Sequence, residues 1–422
     1  MTSKGPYTEA YVWIWLPGQT EPVVAGKLTA HGDRLLFNYG RSYLARDDAI
    51  AIYHPELPLQ PGIMEPRVGH RMHGCIRDAS PDAWGRRVIL NATLGRRGAA
   101  TDSDQLDELT YLMESGSDRI GALDFQASPT EYIPRAAGNA TLEELMASAE
   151  RVEKGLPLSP ELDQALRHGT SIGGARPKAQ VQDRDKRYVA KFASSTDLYS
   201  VVKAEYLAMR LAYFAGLEVA SVSLTRAMRK DVLLIERFDR EPAGTGWQRR
   251  AMVSGLTLLS LDEMMARYAG YEDLAELIRH RFRDARATLR ELFLRMLFNV
   301  LCGNTDDHAR NHAAFWDGEA LTLTPAYDIC PQTRTGFEAT QAMLISGNDR
   351  MSRISSCLRA APQFLLSTQQ ATDLAEALLT AVITHWNAVC DQAELSPVDR
   401  RHLLGTRPPG SDEPAPRGRQ DR

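Results

Sequence analysis

Apolar and polar positions along the chain form short alternating or continuous runs at first and helical stripes later. Tyr11-Val12-Trp13-Ile14-Trp15-Leu16 is aromatic and β-branched and stops at Pro17-Gly18, the pattern of a strand closed by a turn. Runs at 23–28 and 35–37 predict two more strands of a small sheet. From Pro81 to Leu90 the period becomes helical: Pro81 suits a first turn, and Ala83-Trp84 with Val88-Ile89 supply an apolar face. Residues 96–105 lack periodicity and read as a loop. Thr141-Leu142-Glu143-Glu144 is a capping-box sequence that opens a helix ending near Gly155. A connection over 155–160 follows.

From about residue 170 strands and helices alternate. Arg187–Phe192 and Asp231–Glu236 predict strands, the second buried on both faces. Val202–Ala215 predicts a helix closed by Gly216. Leu289, Leu292, Phe293, Met296, Leu297, Val300 and Leu301 mark one stripe of a long helix capped by Gly303. The segments 312–316 and 320–324, joined by Asp317-Gly318-Glu319, predict a hairpin. A further helix spans 363–390. The Pro-rich, charged end from residue 406 predicts a disordered tail. No internal repeat is evident.

Composition narrows the class. The 422 residues carry Lys+Arg 50 against Asp+Glu 54, a formal net charge of −4, with 43% hydrophobic and 25% charged residues. That is globular composition, and the near-neutral balance disfavours a stand-alone nucleic-acid binder. No uninterrupted apolar stretch is long enough to span a membrane, and Met1-Thr2-Ser3-Lys4-Gly5 has no apolar run behind it, so a cytoplasmic protein is expected. Cys75, Cys302, Cys330, Cys357 and Cys390 are scattered and never spaced as a CxxC pair, which fits thiols in a reducing compartment.

The chemistry is concentrated in Gly303-Asn304-Thr305-Asp306-Asp307-His308-Ala309-Arg310-Asn311. Asp306 and Asn311 have the D-x4-N spacing of a kinase catalytic loop. A carboxylate faces an incoming hydroxyl there, while an amide oxygen further along the loop holds magnesium against phosphates. A second carboxylate must complete the metal site from a following hairpin, and Pro325-Ala326-Tyr327-Asp328 offers Asp328. Upstream, Gly169-Thr170-Ser171-Ile172-Gly173-Gly174-Ala175-Arg176-Pro177-Lys178 combines small residues, whose N–H groups can approach an anion, with basic ones. It lacks Walker A spacing. Lys191 sits inside an apolar strand, where an ammonium is costly unless it meets an anion. Glu205 on the next helix is a candidate partner; snorkelling of Lys191 and exposure of Glu205 are the alternatives. His308 and His312 suggest a zinc site only weakly, since Ala309 stands where a zincin needs Glu. The basic run 279–286 reads as a solvated helix face. Trp13 and Trp15 read as one core ring and one exposed or interface ring, and Tyr199, Tyr206 and Tyr213 as helix packing.

Taken in order, Ser171–Lys178, Val189-Ala190-Lys191-Phe192, Glu236-Arg237-Phe238-Asp239-Arg240, Gly303–Asn311 and Leu323–Asp328 resemble the HipA family, serine/threonine protein kinases that act as toxins of type II toxin–antitoxin modules. Ala79–Arg86 and Asp118-Arg119-Ile120-Gly121-Ala122-Leu123 extend the resemblance into the N-terminal part. It implies an α+β fold: a small N-terminal α/β domain (residues 1–155) and a bilobal protein-kinase-like domain with a mostly helical C-terminal lobe (156–405), with 406–422 as the tail. It implies ATP and Mg²⁺ as cofactors. Asp306 would be the catalytic base, with His308 in the same pocket, and Asn311 and Asp328 would hold Mg²⁺. Lys191 would contact the phosphates, the backbone of Gly173, Gly174 and Ala175 would cover them, and Ser171, Ile172 and Lys178 would belong to the same loop. Glu236 and Phe238 would lie at the adenine hinge and Asp239 near the ribose. Ser171 would be the autophosphorylation site. The implied partners are a small helix-turn-helix antitoxin, DNA only through it, and a protein substrate such as an aminoacyl-tRNA synthetase. Arg176-Pro177 departs from the best-known member type. A small-molecule phosphotransferase and a non-catalytic, antitoxin-binding corepressor are the alternative readings.

Overall fold

The computed structural model describes residues 6–94, 106–136, 140–156, 158–159, 162–163, 166, 174–183, 185–194, 197–333 and 338–404. The chain folds into two compact units, one of residues 1–198, 220–263 and 313–324, the other of 199–219, 264–312 and 325–422. The fold class is α+β, with all strands of the described residues in the first unit.

In the first unit, β1 (Glu9–Ile14), β2 (Val23–His31), β3 (Arg34–Tyr39) and β4 (Leu123–Gln126) make an antiparallel sheet in the order β3-β2-β1-β4. The aromatic run predicted as a strand is β1, and Gly18 at φ 78° turns the chain after it. Trp13 and Trp15 are both buried, a correction to the expectation of one exposed ring. Their indole N–H groups donate to the carbonyls of Ser128 and Thr20, and Tyr132 packs against both rings, so each polar edge has a partner inside the fold.

A second antiparallel sheet, order β5-β6-β8-β7, contains β5 (Lys178–Asp183), β6 (Lys186–Phe192), β7 (Val222–Ala227) and β8 (Lys230–Glu236). The strands β9 (Arg240–Ala243) and β10 (Gly246–Arg249) pair with each other. Then β11 (Ala251–Ser254), β12 (Ala313–Trp316) and β13 (Leu321–Leu323) form a three-stranded sheet. The predicted hairpin is β12–β13. Its other neighbour, β11, arrives from sixty residues earlier and leaves no local signal.

The longer helices of this unit are α1 (Ala83–Leu94), α2 (Glu108–Glu114) and α3 (Leu142–Glu153). The capping box at Thr141 and Glu144 is present in full. Trp84 and Val88 of α1, Leu145, Met146 and Val152 of α3, and Phe192 and Val232 of the second sheet form one apolar core. The loop expected at 96–105 and the tail lie outside the described residues.

The second unit is helical: α4 (Val201–Phe214), α5 (Tyr271–Arg281), α6 (Ala285–Cys302), α7 (Ile354–Ala360), α8 (Thr368–Gln392) and α9 (Pro397–Leu404). Gly303, at φ 77°, caps α6 in the left-handed region as its position predicts. The single stripe expected on α6 is a correction: every residue from Leu292 to Leu301 is buried. Neighbours α5, α7 and α8 cover it from several sides. Arg295, inside that helix, donates to Glu291 at 2.8 Å and to the Glu218 carbonyl at 3.2 Å, which is how a charge is tolerated there. The basic run 279–286 is not one face: α5 ends at Arg281, Phe282 is buried, and Asp284 caps α6 by accepting from Ala287 N–H. Tyr206 packs inside, while Tyr213 is 57% exposed.

Candidate active site

The sequence-predicted residues fall into two sets, one on each unit. In the first unit, β5 and β6 place Lys178 directly opposite Lys191, and both are buried, 3% and 8% exposed. Two ammonium groups at opposed positions of adjacent strands share a sheet face. Burying both there is favourable only with negative charge at hand.

Gly174 stands just before them at φ 107°, and a Cβ there would lie 2.1 Å from the Lys178 Nζ. The start of α1 holds this segment. Gly174 N–H donates to Asp82 Oδ2 at 2.6 Å and the Trp84 N–H donates back to the Gly174 carbonyl at 3.2 Å. Trp84 Nε1–H donates to the Lys178 carbonyl at 3.0 Å. Residues of the Ala79–Arg86 motif therefore anchor Gly174 and Lys178 at the end of the basic segment, a pairing across 92 residues. Ala175 is exposed. Ser171, Ile172 and Gly173 lie outside the described residues.

At the end of β8, Glu236 takes a 2.7 Å ion pair from Lys186, and Phe238 meets Phe315 edge to face at 5.9 Å. Asp239 is placed differently from the ribose-facing residue expected of it. It is buried, and its carboxylate accepts from Arg237 Nε (3.0 Å) and Nη2 (2.8 Å), from Arg240 Nη1 (2.9 Å) and from the Gly121 N–H (2.8 Å). Four donors leave it a structural acceptor. Asp118 joins the same cluster through Arg187, Arg237 and Arg240. Burial alone would raise the pKa values of Asp118 and Asp239, but the guanidinium groups, Arg237 first, hold both below the ordinary carboxylate range. The motifs Asp118–Leu123 and Glu236–Arg240 are thus the two sides of one buried ion network.

In the second unit, the chain leaves α6 through Gly303 into the loop 304–312. Asn304 returns to the helix, N–H to the Asn299 carbonyl and Nδ2 to Asn299 Oδ1, each 2.9 Å. A single 3₁₀ turn, Ala309–Asn311, closes with Asn311 N–H on the His308 carbonyl at 2.8 Å. Asn311 Nδ2 turns toward the Asp306 carbonyl at 3.5 Å, which aims its Oδ1 away from that carbonyl.

Asp306 is exposed. Its pKa is raised by partial burial and by the carboxylates of Asp328 and Asp307, with His308 pulling the other way, so these four groups share one electrostatic neighbourhood. Asp328 sits at φ 59°, a left-handed conformation that costs a non-glycine residue about 1 kcal/mol or more. The chain on its N-terminal side is fixed by Ala326 N–H on the Glu218 carbonyl at 2.8 Å and by Tyr327 OH on the Arg310 carbonyl at 2.7 Å.

Carboxylate and amide oxygens are hard donors, and Mg²⁺ keeps few protein ligands beside water and phosphate. Asn311, Asp328 and a crowded Asp306 fit such an ion. Among the described residues no group of three or more His, Cys, Asp and Glu is placed to hold a metal by itself.

Sequence reasoning missed the buried layer beneath this loop. Tyr271 OH donates to Asp307 Oδ2, and His312 Nε2 lies 3.1 Å from the same oxygen. The Asp-Asp doublet was the one available signal, and nothing marked Tyr271, which stands 36 residues from Asp307.

A strand-rich unit with paired buried lysines and a helical unit with an Asp-x4-Asn loop define an α+β protein of the kinase-like class. The model of the HipA-like C-terminal domain matches residues 170–386 and that of the HipA N-terminal domain residues 14–126. The chain belongs to the HipA family. It is similar to the serine/threonine-protein kinase toxin HipA of Shewanella oneidensis, 29% identical over 202 residues, 42% of this chain and 46% of that one. A relative in Sinorhizobium fredii is 27% identical over 273 residues, 58% of this chain and 60% of that one. The matches thus span about half the length of these curated relatives. In fold, the chain is similar to HipA in the Shewanella oneidensis complex of HipA, HipB and operator DNA, with TM-score 0.69, 17% identity, and coverage of 94% of this chain and 96% of that one. No helix among the described residues is long and apolar enough to cross a membrane.

Proposed function

We propose that the protein is an ATP- and Mg²⁺-dependent serine/threonine protein kinase of the HipA toxin type. The observation that carries this reading is the shared neighbourhood of Asp306, Asn311 and Asp328 on a loop system braced from α6 and from Glu218. When bound, Mg²⁺ would neutralise the charge that develops on the transferred phosphoryl group. Asn311 and Asp328 would hold it, and Asp306 would accept the proton of the substrate hydroxyl at its carboxylate, with His308 beside it. Lys178, Lys191 and the backbone of Gly173, Gly174 and Ala175 would hold the phosphates. Glu236 and Phe238 would meet the adenine.

The remaining assignments belong to the same proposal. Residues 1–155 form the N-terminal module and 156–405 the kinase module, and the protein works in the cytoplasm. Ser171 is the autophosphorylation site. A small helix-turn-helix antitoxin is the partner, supported by the HipB in the similar complex, and DNA is met through it. The substrate class is a translation protein such as an aminoacyl-tRNA synthetase, supported by family membership.

Two measurements test the reading. Incubation with ATP and Mg²⁺ followed by phosphopeptide mass spectrometry should place phosphate on Ser171. No phosphate on any peptide or added protein, with ATP still bound, would overturn the kinase assignment and leave a binding module. Gly174→Ala, whose Cβ must push Lys178 aside and whose φ is strained, should weaken binding of a fluorescent ATP analogue by about tenfold, the equivalent of about 1.4 kcal/mol. Unchanged affinity would remove Gly174 and Lys178 from the nucleotide site.

A further inference from the structure

Asp306 and Asp307 are adjacent and oppositely placed: Asp306 is exposed and Asp307 is buried at 3%. A buried carboxylate is costly unless it gathers donors, and Asp307 gathers two on one oxygen. Tyr271 OH reaches Oδ2 from α5, and His312 Nε2 reaches it at 3.1 Å from the far end of the loop. Tyr271 is fully buried, and burial together with the Asp307 charge keeps its phenol protonated, hence a donor. With Nε2 donating, the His312 Nδ1 is buried and has no hydrogen-bond partner among the described residues. Asn299 approaches the Tyr271 hydroxyl at 3.5 Å and is itself held by Asn304, so the layer runs from α5 through α6 to both ends of the segment 304–312.

We infer that Asp307, gripping Tyr271 and His312, is a positioning residue that sets Asp306 and Asn311 relative to each other. Residues 307 and 312 bracket the turn that carries Asn311, and fixing Asp307 inward fixes its neighbour Asp306 outward. The inference rests on the phosphoryl-transfer reading, in which a displacement of about 1 Å at the reacting groups costs about 10²-fold in rate.

The test compares Tyr271→Phe, Asp307→Ala and Asp307→Asn with the wild-type chain by hydrogen exchange and by kinetics. Tyr271→Phe should speed exchange of the 305–312 amides by at least about tenfold while leaving β5 to β8 unchanged. It should lower kcat by about 10- to 100-fold with KM for ATP within about twofold. Asp307→Asn, whose side-chain oxygen accepts the same two bonds, should keep most of the rate. Asp307→Ala should match Tyr271→Phe, and the double variant Tyr271→Phe/Asp307→Ala should be no worse than Asp307→Ala alone. Unchanged exchange over 305–312 in Tyr271→Phe, a loss confined to KM, or equal damage in Asp307→Asn and Asp307→Ala would each overturn the inference. A wild-type protein that transfers no phosphate fails the kinase reading, and the exchange comparison then decides the positioning role by itself.

Discussion

Asp306→Ala is expected to lower phosphoryl transfer from ATP by about 10²- to 10⁴-fold, the range lost with a general base, while the protein stays folded. The side chain is exposed and accepts no hydrogen bond among the described residues. Its removal therefore has none of the usual causes of large destabilisation and should move stability by less than about 0.5 kcal/mol. It also relieves repulsion from the Asp328 and Asp307 carboxylates, which add to partial burial in raising its pKa. Asp306→Asn should lose as much rate, because an amide cannot take the hydroxyl proton. Steady-state transfer to any accepted protein, read beside a thermal melt and a nucleotide titration, checks this. Turnover within tenfold of wild type would reject Asp306 as the base.

Arg237→Ala is expected to have the largest effect on stability, a loss of about 3–5 kcal/mol, because it removes one partner from a buried ion cluster. The guanidinium is 3% exposed and meets Asp118 at 3.0 Å and Asp239 at 2.8 Å. It also donates to the Arg119 carbonyl at 2.7 Å and to Gln180 Oε1 at 3.1 Å. Without it, Asp118 and Asp239 keep Arg240 but stay buried with less positive charge. Arg237→Lys should recover little, since one ammonium cannot reproduce the planar fork.

The same cluster predicts the acid dependence. Folded Asp118 and Asp239 titrate below their ordinary value of 3.8. Their contribution is complete above that value and is lost as pH falls from it through the folded pKa values. Wild-type stability should therefore drop steeply below about pH 4, and Arg237→Ala should start lower and fall less steeply. Urea unfolding at neutral pH and along an acid series measures both. A loss under about 1 kcal/mol would mean that Arg240 and Arg187 neutralise the pair without Arg237.

Much of the fold was legible because its signals are local. The aromatic run of β1, the Thr141–Glu144 cap, the helix α6 with its Gly303 stop and the β12–β13 hairpin each announce themselves within a few residues. The site was legible in the same way where its spacing is local, as for Asp306 and Asn311. It was not legible where distant segments meet. Asp239 reads by motif as a ligand-facing carboxylate, yet Gly121, 118 residues away, and two arginines claim it. One ring of the Trp13 and Trp15 pair reads as exposed or interfacial until Tyr132 packs against both. The stripe on α6 becomes burial on all sides only because α5, α7 and α8 close around it.

By itself, the sequence determined the elements that carry a local periodic or capping signal and the order in which the chemical groups appear, since periodicity and short-range spacing depend on backbone geometry alone. Only the tertiary structure decided which of those groups are held and by what. It put Asp82 and Trp84 under the basic loop, Asp118 against Arg237, and Tyr271 and His312 on Asp307. The physical reason is that a buried charge or amide must find its partner wherever the packed chain brings one, and that distance in sequence is set by the closure of the fold.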